Sequence, residues 1–245
     1  MNTKSVTGTL LDADGTCHER NSLVVREHAL SVFAGGMLVF QCVCTKTSLR
    51  YLVTGRLFTE GMISSVDQIE EIYFNKCENK ADVILKDEAK FITKSRKEHL
   101  SKFPDTEIRR EWIFALAQEF SRGTELHHAT QGTHSCLLGR KGAVLFACED
   151  IGRHNAVDKA VGYALINKIP LGECILFSSG RVPTDMVEKV AASGIPVLMS
   201  KAVPTAESIA LADAYGLTLI CRAWPEQCEI YTDYVGIIRD NIDFT

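Results

Sequence analysis

The second half of the chain constrains the fold most. There, short apolar runs alternate with stretches of helical period: ECILFS, TDMVEKVAAS, IPVLMS, PTAESIALADAY and LTLICR. Runs this short and this apolar fit strands buried on both faces. Strand, helix, strand, helix, strand is two successive βαβ units, which imply a mainly parallel sheet with right-handed crossovers. The helices carry their own punctuation. Thr184 is placed to cap the first and Gly194 to stop it; Pro204 stands near the start of the second and Gly216 after its end. Just upstream, HSCLLG and AVLFAC read as a hairpin pair. NAVDKAVGYALI reads as a helix with Ala156, Val157, Ala160, Val161, Ala164 and Leu165 on one face. CEIYT is placed to add an edge strand.

The first half reads differently. LVVREHALSVF and MLVFQCVC flank Ala34-Gly35-Gly36, the pattern of a β-hairpin. In KTSLRYLVTGRLFTEG, Leu49, Leu52, Val53 and Leu57 share one helical stripe, Thr47 or Ser48 is placed to cap, and Gly61 to end it. IEEIYF and DVILK are short strands. FITKSRKEHLSKFPD (91–105) is polar and basic and is assigned no structure. From Glu107, the residues Ile108, Trp112, Leu116 and Phe120 recur every four positions, which predicts a helix ending near Gly123. These patterns divide the chain into a smaller N-terminal β-rich subdomain with a helix and a polar loop (1–105), and an α/β domain (106–245).

Bulk properties exclude several classes. A formal charge of −4 disfavours a broad nucleic-acid or membrane footprint. No apolar run is long enough for a spanning helix, and the N-terminus lacks the basic and apolar segments of a secretory signal, so a cytoplasmic protein is expected. Nine cysteines is an odd number, and Cys42, Cys44, Cys148, Cys174 and Cys221 sit in apolar strand-like runs, which reads as reduced, buried thiols. Cys42-x-Cys44 shares one strand face, but no second ligand pair follows at zinc spacing, and no structural metal is expected.

In a parallel sheet, the loops leaving the carboxyl ends of the strands line one edge, and ligands bind there. The segments EDIGRHN (149–155), SSGRVPT (178–184), SKAVPT (200–205) and CRAWPEQ (221–227) occupy such positions. They supply the cations Arg153, Arg181, Lys201 and Arg222, with hydroxyls from Ser178, Ser179, Ser200 and Thr205. Gly180 permits close backbone approach. Loops that open onto helix N-termini favour anions, so the inferred ligand carries phosphate. Glu149 and Asp150 are placed either to hold Arg153 or to receive donors from a purine or pterin ring; Arg153 and Arg181 are equally placed to pair with Glu149, Asp150 and Asp185. No loop matches a GxGxxG or a P-loop. A second cluster lies in HHATQGTHSC, where His134 and Cys136 share a strand face. A thiol beside an imidazole is a candidate nucleophile; the alternative is a half-buried histidine and a core cysteine.

CEDIGRHNAVDKAVG, together with FSSGRVPTDMVEKVAASGIPVLMSKAVPTAESIALA, GLTLI, LRYLVTGRLFTEGMI and TQGTHSC, resembles the FdhD family of formate dehydrogenase accessory proteins, in the same order along nearly the whole chain. The resemblance implies a homodimeric sulfurtransferase of molybdenum-cofactor maturation with a cytidine-deaminase-like fold that lacks the deaminase zinc. It implies that sulfur arrives as a persulfide from a cysteine desulfurase. It further implies that the bis-molybdopterin guanine dinucleotide form of the cofactor is bound as cargo, and that the sulfurated cofactor goes to formate dehydrogenase. The cofactor contacts it implies are Arg153, His154, Ser179, Gly180, Arg181, Ser200 and Lys201, with the segment Arg222-Ala223-Trp224-Pro225-Glu226-Gln227.

The chain departs from the family at two places. The family carries sulfur on a Cys-x-x-Cys pair in the loop before its central helix, and the matching stretch here, FITKSRKEHLSKF (91–103), has no cysteine. Trp224, Pro225 and Gln227 stand where the family usually has arginine, glycine and arginine. Three functions therefore stay open: sulfur transfer through another cysteine, with Cys136 beside His134 as first candidate; a module that carries or inserts the cofactor without sulfur chemistry; and a different enzyme on the same scaffold.

Overall fold

The structure is a computed structural model that describes residues 2–86, 103 and 106–238. The chain opens with an antiparallel hairpin, β1 (Thr3–Leu11) and β2 (Cys17–Val25), paired with each other alone among the described residues and exposed along almost their whole length. The sequence reading missed this arm. Its strands lack a buried face and hence a clear alternation, and the only local signal is the turn sequence Asp12-Ala13-Asp14-Gly15.

β3 (His28–Ala34) and β4 (Met37–Cys44) form the expected hairpin around Gly35-Gly36, both at positive φ as a tight primed turn requires. Helix α1 (Leu49–Thr59) follows, then β5 (Ile69–Phe74) and β6 (Lys80–Leu85). These strands make a four-stranded sheet in the order β4-β3-β6-β5. Leu49, Leu52, Val53 and Leu57 are buried as the stripe predicts. The expected cap is not there: Ser48 is in the left-handed region and makes no side-chain capping bond. The segment 91–105, except Phe103, lies outside the described residues.

Helix α2 (Arg110–Ser121) comes next. A short helix α3 (Glu125–Thr130), absent from the sequence reading, precedes the antiparallel pair β7 (His134–Arg140) and β8 (Ala143–Asp150). Then come helix α4 (Arg153–Ile166), β9 (Ile175–Ser178), helix α5 (Thr184–Ser193), β10 (Val197–Ser200), helix α6 (Ala206–Tyr215), β11 (Thr218–Cys221) and the edge strand β12 (Glu229–Thr232). Thr184 is the first helical residue of α5, not its cap; Pro183 holds that position, and Gly194 ends the helix in the left-handed region. Thr205 and Ser208 form a capping box on α6.

The larger sheet runs β12-β11-β10-β9-β7-β8. β9, β10 and β11 are parallel, and β7 is antiparallel to both β8 and β9, so β8, β9, β10 and β11 all point one way. The mixed α/β class is therefore correct, but the sheet is not mainly parallel: β10 pairs parallel with β9 and β11, whereas β12–β11, β9–β7 and β7–β8 are antiparallel. One apolar core runs through both sheets, joining Leu30 and Val32, Leu52 and Leu57 of α1, Val157 and Val161 of α4, and Leu138, Leu176 and Leu198. The regions on either side of residue 105 share this core. A second cluster seats Leu116 and Phe120 of α2 on the opposite face, against Leu137, Ile175 and Phe177.

α1 and α4 cross at Gly55 and Gly162. A Cβ on Gly55 would lie 1.8 Å from the Asp158 carbonyl oxygen, and one on Gly162 would lie 1.9 Å from that of Tyr51. The two backbones touch, and only glycine permits it. α4 is buried nearly all round, with Asp158 and Lys159 as hidden as Ala156 and Val161. Such a helix shows no polar side to solvent, so its charges must be paired inside.

Candidate functional site

The charge-dense stretch at 149–159 divides into two sets of side chains. One set turns inward. Lys159 is fully buried; its Nζ lies 2.6 Å from Asp150 Oδ2 and donates to Thr45 Oγ1 at 2.7 Å and to the Glu149 carbonyl at 3.1 Å. Asp150 also accepts from Thr45 N, Gly152 N and Asn155 Nδ2. Asp158 receives Arg56 Nε at 3.0 Å, Lys189 Nζ at 2.8 Å and the Thr59 hydroxyl at 2.8 Å. Glu149 accepts from Thr124 Oγ1, Thr133 Oγ1 and the backbone N–H groups of Leu126 and His127, which orders α3. The acids Glu149 and Asp150 therefore neither hold Arg153 nor face a ligand. Their acceptors are filled from within the protein.

The other set faces the sheet edge. Arg153 and His154 are the first two residues of α4, a helix with no acidic residue in its first turn. Arg153 packs over the 178–181 turn: a Cβ on Gly180 would lie 3.0 Å from Arg153 Cδ. Its Nε is buried with no hydrogen-bond partner among the described residues. His154 Nε2 lies 3.2 Å from Asp185 Oδ2 of α5. Burial holds its imidazole below the ordinary histidine value, against the pull of Asp185.

Because β8, β9, β10 and β11 run the same way, their carboxyl ends bring the four predicted loops to one edge. Backbone bonds stitch them together: Ser179 N–H to Ser135, Lys201 N–H to Ser178, Val182 N–H to Val203, Arg222 N–H to Ala202 and Ala223 N–H to Ser200, each onto a carbonyl. Several predicted contact residues serve this stitching. Ser200 is fully buried, donating to the Gly180 carbonyl at 2.7 Å and accepting from Ala202 N–H. Ala223 is fully buried as well. Both shape the loops, and the side chain of each is turned away from the surface. Ser179 Oγ accepts from Ser135 N–H at 3.0 Å and lies 3.4 Å from His134 Nδ1.

The outer part of the edge holds Arg181, Lys201 and the 222–227 segment. Lys201 Nζ stands 5.2 Å from the Phe120 ring and 5.3 Å from the Trp224 ring, and partial burial lowers its pKa. Trp224 is exposed, in a turn closed by its N–H donating to the Gln227 carbonyl at 2.8 Å; Pro225 and Glu226 lie inside that turn. Arg222 adopts a positive φ of 45° and reaches Glu229 at 3.3 Å, so part of its charge is answered internally. Arg153 and Arg181 make no ion pair among the described residues. The alternative in which they pair with Glu149, Asp150 and Asp185 fails.

Cys136 fares differently from its expectation as nucleophile. It is buried opposite Cys148, its register partner on β8, and burial followed by the bond to Cys148 raises its pKa well above the ordinary thiol value. His134 faces Ser179 at the sheet edge. Burial and then the Arg153 charge hold its imidazole below the usual value. The structure thus joins His134 to the loop edge and Cys136 to the core. A cavity of about 610 Å³ opens elsewhere, between the N-terminal arm, α3 and β8, and none of the four loop segments beyond Glu149 lines it. Among the described residues, no group of three histidines, cysteines or acids gathers at metal-binding range, and no helix is long and apolar enough to cross a membrane.

The sequence reading did not assign Asn155, Asp158, Lys159 and Thr45 to the ionic seam. An available signal was the pairing of Asp158 and Lys159 inside an otherwise apolar helix.

Fold and edge together define a mixed α/β protein with a cationic shelf at the carboxyl ends of its strands. A crystal structure of a formate dehydrogenase accessory protein from Desulfotalea psychrophila has the same fold, with a TM-score of 0.83 at 24% identity over 95% of this chain and 98% of that one. The sequence model of the FdhD/NarQ family matches residues 25–238, and the chain belongs to that family. Among its relatives is the sulfur carrier protein FdhD of Thermoplasma acidophilum, 33% identical over 77% of this chain and 76% of the relative. Another is the sulfur carrier protein FdhD of Listeria monocytogenes, 27% identical over 91% and 94%.

Proposed function

We propose that this protein is a maturation factor for formate dehydrogenase that holds a bis-molybdopterin guanine dinucleotide as cargo on the loop edge. In this proposal it acts as a homodimer between a cysteine desulfurase and the formate dehydrogenase that receives the cofactor. The observation that carries the proposal is Arg153. Its guanidinium stands at an acid-free helix N-terminus with Nε buried and without a hydrogen-bond partner among the described residues, packed on the Gly180 turn. A buried donor without an acceptor is costly unless a ligand supplies one, and a helix N-terminus favours an anionic one. Arg181 and Lys201 extend the positive field along the edge, and the exposed Trp224 ring offers a stacking face to a guanine or pterin.

Guanosine diphosphate is a tractable probe of the dinucleotide end. Calorimetry is expected to detect binding to the wild-type chain. Arg153→Gln should weaken it by about ten- to a hundredfold, the worth of one charge-assisted hydrogen bond of roughly 1.5–3 kcal/mol. Equal affinity in the variant would remove Arg153 from the site, and no binding by the wild type would remove guanine dinucleotide from the cargo. A second reading, a cofactor-insertion module without sulfur chemistry, is favoured by one observation: residues 91–103 contain no cysteine.

A further inference from the structure

The β1–β2 arm is a two-stranded ribbon with nothing laid against it. Its strands pair only with each other among the described residues, and only Thr3 and Val25, at its base, are less than exposed. The base itself is fixed: Arg26 N–H donates to the Asn2 carbonyl at 2.7 Å, and Thr3 and Leu23 line the cavity with Leu126 and Ala129 of α3. Along the ribbon Val6, Leu10, Leu11, Leu23 and Val24 are exposed. A lone hairpin is marginal in water; further strands and an apolar face are what make such a sheet stand.

The two edges of the arm differ. β2 carries His18, Glu19 and Arg20 in succession, the kind of charge that keeps an edge strand from pairing. β1, TKSVTGTLL, carries one charge, Lys4, near its start, and no proline. Its outer edge is a row of N–H and C=O groups open to another strand. β4, an uncharged edge of the smaller sheet, is already partly closed, because its Val43 carbonyl accepts from Asn155 Nδ2 at 2.8 Å. A second copy of β1 fits the open edge. Laid antiparallel about a two-fold axis at Thr7, it sets Thr7 against its own copy, Val6 against Gly8, Ser5 against Thr9, Lys4 against Leu10 and Thr3 against Leu11. No charge meets a like charge. The Lys4 stem lies over Leu10 of the second copy, and its ammonium comes diagonal to Asp12 at that copy's tip. Within the chain Lys4 makes no ion pair among the described residues, and Asp12 meets only His18, at 3.6 Å. Val6 comes diagonal to its own copy and, with Val24 on the same face, extends an apolar stripe across four strands.

We propose that two copies of this chain join through β1, edge to edge and antiparallel about Thr7, in a four-stranded sheet of order β2-β1-β1-β2. The proposal rests on the homodimer of the maturation-factor reading and gives it an interface. A contact of this kind presents the same surface on both copies and closes at two. It uses the unprotected edge of the arm, answers Lys4 and Asp12 twice, and leaves the charged edge of β2 outermost.

The test measures the full chain by sedimentation equilibrium, with the wild type expected as a dimer. Lys4→Glu should weaken that dimer by about tenfold, since both diagonal pairs become repulsive, and Asp12→Lys in the same chain should restore it. Guanosine diphosphate binding by Lys4→Glu equal to wild type would show that the loss is one of association and not of folding. The register is read by cross-linking, in a chain whose exposed Cys17 and Cys77 are replaced by serine. There, Thr7→Cys treated with glutathione disulfide should give a covalent dimer, because residues facing each other across antiparallel strands are within disulfide reach; Thr9→Cys, facing Ser5, should not. A link at Thr9→Cys in place of Thr7→Cys overturns the register. A dimer that ignores Lys4→Glu and leaves Thr7→Cys unlinked overturns the β1 pairing while the homodimer stands. A monomeric wild type that binds guanosine diphosphate overturns pairing and homodimer together, and the loop edge stands.

Discussion

The seam between α1 and α4 and the loop edge beside it are built from the same residue types, taken partly from the same stretch of chain, yet they are opposite in design. In the seam, Asp150, Asp158 and Lys159 are fully buried, and each meets opposite charge within 3.0 Å. At the edge, Arg153 and Arg181 meet none among the described residues. Charge taken out of water is tolerable only when answered on the spot, so the seam's ions are fixed by their partners and specify how the two helices register. The seam is full; the edge has room for a ligand's charge. A dense run of ionisable residues is therefore not in itself a site, and the unanswered members are the ones that point to one.

The sharpest way to break this comparison is to remove one seam charge. Lys159→Ala leaves the Asp150 carboxylate buried without its cation and should cost about 3–5 kcal/mol, measured by urea unfolding. Arg181→Ala, at the edge, should stay within about 0.5 kcal/mol. Similar costs for both would erase the distinction. Next in size is the helix crossing. Gly162→Ala places a methyl group 1.9 Å from the Tyr51 carbonyl oxygen. It must push α1 from α4 and should cost about 1–3 kcal/mol, with the seam's bonds to Arg56 loosened as well.

These predictions also mark what a sequence can and cannot reveal here. The βαβαβ half was legible because four-residue apolar strands and glycine-stopped helices are local signals; β9, β10 and β11 and the stops at Gly194 and Gly216 are where they were expected. The edge followed from strand direction alone, so all four loops were found. Which loop residues face outward was not legible. Ser200 and Ser179 differ from Arg181 only through bonds to strands far away in sequence, and Glu149 is consumed by a helix, α3, that has no periodic signal of its own. The β1–β2 arm was invisible because it buries no face. Cys136 looked like a nucleophile because alternation put it beside His134, but alternation says nothing about the depth that raises its pKa.

At the edge itself, removing the Trp224 ring tests whether the cations act with an aromatic platform. Trp224→Ala should weaken guanosine diphosphate by several-fold, consistent with roughly 0.5–1.5 kcal/mol for an aromatic contact, and leave unfolding in urea unchanged because the ring is already exposed. An unchanged affinity would leave the edge a purely electrostatic site.

The smallest expected effect is the most local. His134 lies below its ordinary value of about 6.5 chiefly through burial, then through the Arg153 charge. An imidazole depressed in the folded state is charged more readily in the unfolded one. As pH falls below about 6.5, the unfolded chain therefore takes up the proton first and stability declines until the folded value is passed. Arg153→Gln withdraws a repelling cation, so the His134 pKa followed by proton NMR should rise, without reaching the value of an exposed histidine because burial remains. Guanosine diphosphate bound beside Arg153 should raise it too, since a phosphate offsets the same charge. In Arg153→Gln the nucleotide should then move His134 less than in the wild type. A His134 pKa indifferent to both changes would separate the imidazole from the guanidinium and take His134 out of the loop edge.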